Sequence, residues 1–202
     1  MRFKSPNVVS FEKHRKSMPY HEYIARKKRH FEASQQNEKG HRYERIVLGE
    51  CQISQVEQVD PGATKHEAIR FAMDHQPEEK AGALKWIEIQ MRNHSLASND
   101  IELYTAVGSP LDYDFGADAF IKAGGQYFTI DYTIGSKKAK KMNSKSSERV
   151  ADMILELDLD MEEEEKLEAI NAFARYATGY VDGTLKSIRE YQEAQGHKVK
   201  YG

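Results

Sequence analysis

The sequence predicts an α/β or α+β fold, a small central sheet covered by helices, and three observations carry that expectation. β-branched and aromatic residues concentrate in one central region, "IELYTAV", "DAFIKA" and "QYFTIDYTI". An "AGG" between the last two of these runs is turn chemistry, so they read as an antiparallel hairpin. Segments rich in helix formers lie before and after this region, so the N- and C-terminal parts should be helical and should cover the sheet.

Taken in chain order, "MRFKSPNVVSFEKHRK" has basic residues but no apolar stretch, so it reads as no secretory signal, and the expected location is the cytoplasm. Residues 1–20 read as a mobile arm. The next stretch, "HEYIARKKRHFEASQQNEKGHRYERIVLGECQI", lacks proline and is rich in helix formers, with Gly40 as the expected break between two segments. "TKHEAIRFAMDH" reads as a helix capped by Thr64 and ending before Pro77. Pro77 then suits the first turn of another helix, whose Leu84, Ile87 and Met91 form one apolar stripe. Trp86 lies off that stripe and reads as a second buried contact. Beyond the hairpin, Val150, Met153, Ile154 and Leu157 recur at helical spacing. So do Leu167, Ile170, Phe173, Ala174, Ala177 and Val181, which predicts C-terminal helices over 147–195. The 202 residues read as a single domain, with residues 100–141 carrying its chemistry.

Composition narrows the function classes. No apolar run approaches the length needed to span a bilayer, so no membrane partner is expected. The single cysteine, Cys51, excludes an internal disulfide and a Cys-rich zinc site, and reads as a buried inert thiol. His41, His66, His75 and His94 show no metal-ligand pairing on one helix and read as surface or cap residues. The formal net charge of −2 conceals a segregation of sign. Residues 1–45 and 137–149 are rich in Lys and Arg, whereas "ELDLDMEEEE" is acidic. Cations on both sides of an acidic motif suit a polyanion, and Lys137, Lys138, Lys140, Lys141 and Lys145 are the expected nucleic-acid contacts.

The acidic motif is the hairpin itself. With the turn at 123–126, Asp118 and Asp131 fall near opposite one another, where facing Cβ atoms stand roughly 5 Å apart. Two such carboxylates repel unless a proton or a cation lies between them. Asp131 also interrupts an apolar run, where an uncompensated charge is costly. Asp112 and Asp114 read as loop residues ahead of the strand, one of them at most an accessory ligand.

At these residues the chain resembles the PD-(D/E)XK nuclease superfamily. Its motif is an acid at the start of one strand, then acid, any residue and lysine on the next, often with a glutamate from an earlier helix. "SPLDYDFGADAFI" with Asp118 resembles the lead-in and "YFTIDYT" with Asp131 the second strand, while Glu44 in "GHRYERIV" is the candidate helical glutamate. The resemblance implies Mg²⁺ or Mn²⁺ held by Asp118, Asp131 and the Tyr132 carbonyl, with Glu44 orienting the attacking water. It implies a deoxyribonuclease, endo- or exonucleolytic. Thr133 stands where the motif has lysine and supplies no positive charge, so Lys137 and Lys138 are the candidate substitutes. Two other readings stand beside this one. A catalytically silent protein of the same fold would bind nucleic acid or a nucleic-acid enzyme; a mainly helical interaction protein would present its acidic stretch to a basic partner. A small, highly charged domain of this kind suits a phage or mobile-element accessory protein.

Overall fold

Residues 17–31, 35–60, 62–96, 100–133, 151–158 and 160–194 are described by the structure, a computed structural model. Among them it has six helices, a four-stranded sheet and a two-stranded one. The chain begins with β1 (Met18–Pro19) and α1 (Tyr20–Phe31), then α2 (Gln35–Leu48), β2 (Gln58–Val59), α3 (Lys65–Asp74) and α4 (Gly82–His94). β3 (Glu102–Thr105), α5 (Pro110–Phe115), β4 (Ala119–Ala123) and β5 (Gln126–Thr133) follow, and β6 (Met153–Glu156) and α6 (Glu163–Ala194) complete it.

The three strands expected from β-branched and aromatic runs form a meander. β3 pairs antiparallel with β4, and β4 antiparallel with β5 in a register running from Ala119 opposite Ile130 to Ala123 opposite Gln126. Gly124 and Gly125 close that hairpin with φ of 54° and 73°, the left-handed pair a two-residue turn requires. A Cβ on Gly124 would also stand 2.9 Å from Leu185 Cδ2. Gly124→Ala is therefore expected to cost about 1–2 kcal/mol in a denaturant melt.

Side chains alternate across the sheet. Leu103, Ile121, Phe128 and Ile130 enter one core with Leu84, Ile87 and Met91 of α4 and Phe173, Ala177 and Val181 of α6. Phe120 points to the other face, against Ala68, Ile69 and Ala72 of α3 and Leu111 of α5, with Tyr104 and Tyr127 at the margin. Thr64 caps α3 through a reciprocal capping box with Glu67.

Several boundaries differ from expectation. Met153–Glu156 is a strand parallel to β5, not part of a helix. Met153, Leu155 and Leu157 are buried while Ile154 and Glu156 are half-buried, a period of two that the apolar residues at 150, 153, 154 and 157 concealed. Gly40 lies within α2, so it is no break: α1 ends at Phe31 and α2 starts at Gln35. Pro77 precedes α4 by five residues, since the helix starts at Gly82. The expected arm at 1–20 is ordered at its end, where Met18 and Pro19 pair with Val59 and Gln58 and Tyr20 opens α1; residues 1–16 lie outside the described residues. Trp86 is 38% exposed and donates from Nε1 to Asn171 Oδ1 at 2.8 Å, tying α4 to α6 at the surface. Among the described residues, no helix is long and apolar enough to cross a membrane.

Candidate active site

Asp118 stands one residue before β4, and its backbone and side chain clasp β5 at two points. Its amide donates to the Ile130 carbonyl at 2.8 Å, and its Oδ2 accepts from the Tyr132 amide at 2.6 Å. Asp131 is the residue between those two. The paired register stops at Ala119 opposite Ile130, so the two acids meet through this bracketing rather than as one more rung of the ladder. Ile130 and Tyr132 belong to the core under α4 and α6, so Asp131 faces the opposite way, toward α3 and α5. The Tyr132 side chain is buried on the far face, its hydroxyl donating to the Leu157 carbonyl at 2.5 Å.

A third acid enters from α5. Ser109 caps that helix, its side chain accepting from the Leu111 amide at 3.2 Å, and Gly116 ends it in a left-handed conformation (φ 64°). Asp112 is thus on a helix rather than in a loop, and its Oδ2 accepts from the Gly108 amide at 2.9 Å. Gly108 itself is held by the Tyr20 hydroxyl on its carbonyl. Asp114 points away to α1, where Tyr23 and Lys27 both bond to it; it fastens α1 and takes no part in the acidic group. The fourth acid is Glu44 of α2, whose Oε2 is 2.8 Å from His41 Nδ1.

These four carboxylates share one electrostatic environment. Asp118, 5% exposed, is held well above the usual carboxylate range by burial and then by the charges of Asp112, Glu44 and Asp131, against which the Tyr132 amide pulls down. Asp112, 8% exposed, is pushed up to about 7, first by burial and then by Glu44 and Asp131, while the Gly108 amide and His41 oppose. Buried acids raised by neighbouring charges in this way, as Asp118 and Asp112 are, favour a proton or a cation nearby. The His41 imidazole is itself raised above its ordinary value, foremost by its hydrogen bond to Glu44.

Among the described residues, no group of three or more His, Cys, Asp and Glu side chains is placed to hold a metal ion. The donor set expected from the sequence is smaller, two aspartates and one backbone carbonyl, and all of it is hard oxygen. Its chemistry fits Mg²⁺, which commonly takes one or two carboxylates and completes its shell with water and substrate phosphate.

Of the expected site residues, Asp131 and Glu44 act on the charge of Asp118, and Tyr132 holds Asp118 through its backbone amide. Lys137, Lys138, Lys140, Lys141 and Lys145 lie outside the described residues. Thr133 ends β5 opposite Glu156. The sequence alone makes Asp112 at most an accessory ligand and His41 a surface or cap residue, whereas both act on this acidic group. For His41 the signal was its i, i+3 spacing from Glu44 on one helix; for Asp112 the sequence held none, since only the fold of α5 onto the sheet selects it over Asp114. Cys51 is buried, and burial pushes its thiol up to about 12, which fits an unreactive side chain. Compared with family models, curated proteins and solved structures, the chain has no match.

Proposed function

We propose that the chain is a divalent-metal-dependent nuclease acting on DNA, with its site at Asp118, Asp131 and Glu44. The observation that supports this most is the bracketing of Asp131 by Asp118, with Glu44 of an earlier helix acting on the same acids: an acid before one strand, an acid on the next and a helical glutamate, as in the PD-(D/E)XK motif. Asp118 and Asp131, with the Tyr132 carbonyl, would hold the ion. An ion held there would supply Lewis acidity toward the phosphoryl group and would activate a water. Glu44 would orient a water for in-line attack. The surrounding burial keeps the acids in a poorly solvated site, where charge is most effective.

The test is cleavage of supercoiled, linear and branched DNA by the full chain with Mg²⁺ or Mn²⁺. Nicking or cutting that Asp118→Ala eliminates is the expected result. Cleavage that is indifferent to metal, or that survives loss of both Asp118 and Asp131, would remove the site. A wild type that binds DNA but cuts nothing would favour the second reading, a silent nucleic-acid binder, for which Thr133 is the motivating residue. Thr133→Lys would then test whether the acids alone are competent.

A further inference from the structure

Among the described residues, His41 is a side chain whose positive charge lowers the pKa of Asp112, and its placement is specific. Its Nδ1 is fixed by Glu44 Oε2 at 2.8 Å, its ring lies 6.4 Å from that of Tyr113, and its charge is felt by Asp112. The side chain is 38% exposed, so the ring sits at the rim between the buried acids and solvent. Nε2 makes no hydrogen bond among the described residues. A carboxylate on one ring nitrogen fixes the orientation of an imidazole and leaves the other nitrogen for chemistry.

We propose that His41, oriented by Glu44, is the positive group of this site: its Nε2–H donates to the phosphoryl oxygens as negative charge builds on them, the part that Thr133 cannot play. This rests on the nuclease reading and deepens it by naming the group that replaces the missing lysine. The balance is simple. The new bond forms between water oxygen and phosphorus, with the water proton passing by way of Glu44 to solvent. The bond from phosphorus to the leaving sugar oxygen breaks, and that oxygen takes a proton from solvent. His41 keeps its own proton throughout and acts by charge and hydrogen bonding alone.

The groups facing His41 are Glu44 and Arg45 on its own helix and Asp112 and Tyr113 on α5. Glu44 and Asp112 favour the imidazolium, while burial and Arg45 oppose it. A lysine in this role would stay charged to about pH 10, whereas an imidazole loses its charge nearer neutrality. The pH profile therefore separates His41 from Lys137 and Lys138.

The experiment compares wild type, His41→Asn and His41→Ala for DNA affinity, Mn²⁺-induced thermal shift, kcat and KM from below pH 6 to above pH 9. Asparagine can still donate to Glu44, so it preserves the local hydrogen bond without the charge. The expected result is unchanged DNA affinity and metal shift in His41→Asn, with kcat lower by about a hundredfold. Wild-type kcat should also fall on the alkaline side, and that limb should be absent in His41→Asn. Wild-type kcat in His41→Asn, or an alkaline limb that survives the substitution, overturns the assignment while leaving the nuclease standing. A wild type that binds DNA and Mn²⁺ without cleaving overturns the nuclease reading, and the role of His41 with it.

Discussion

On the proposed metal-dependent reading, Mg²⁺ or Mn²⁺ raises the melting temperature of the wild-type chain, and Asp131→Asn is expected to abolish that rise and to raise the metal-free melting temperature. Both effects come from one cause. Asp131 lies between the two backbone positions that Asp118 holds, and its charge helps keep Asp118 well above the usual carboxylate range. A cation binding only the folded chain stabilises it by mass action, about 2.7 kcal/mol at a hundredfold excess over its dissociation constant. Asparagine removes the proposed ligand and one of the repelling charges together, so the metal increment would be lost and the resting repulsion falls. The measurement is a thermal melt of wild type and Asp131→Asn with and without the ion. The same increment in both would place any bound ion elsewhere.

The second large effect is on stability against pH. Asp112 titrates near 7 in the folded chain and near 4 when unfolded, so folding raises its pKa. The stability this contributes is fully present below about pH 4 and is lost as pH rises through 7, because the ionised form is the one the fold disfavours. Asp112→Asn can still accept from the Gly108 amide but does not ionise. Its melts should be flatter than those of the wild type between pH 4 and 8, with an advantage at the alkaline end on the order of a few kcal/mol. Parallel curves for the two proteins would show that Asp112 is not the group that titrates there.

What was legible in the sequence was mostly local. β4 and β5 announce themselves because β-branched and aromatic residues flank two glycines that can occupy the left-handed region, and α3 because Thr64 and Glu67 form a capping box. The apolar stripe of Leu84, Ile87 and Met91 is buried as read. Misreadings occurred where a short segment satisfies two periods at once. Met153–Glu156 fits helical spacing and alternation equally, and only the free edge of β5 decides for a strand. Within the candidate site, the nearness of Asp118 and Asp131 was legible because they flank one hairpin across twelve intervening residues, although Asp118 clasps the neighbours of Asp131 rather than pairing with it in the ladder. Asp112 and His41 were not, because their positions depend on α5 folding over the sheet and on α2 reaching it from far away in sequence.

Four residues, Met153–Glu156, make β5 an interior strand. A chain ending short of them would leave β5 with a row of unpaired amides and carbonyls along one side, next to the apolar side chains of Phe128, Ile130 and Tyr132. Such an edge invites a strand from another molecule. Asp131 sits in the middle of it, and an inward-pointing charge is a known deterrent to that kind of pairing, because any visiting strand must bury it. The carboxylate proposed to hold a metal would thus also guard its own strand against association whenever β6 is absent.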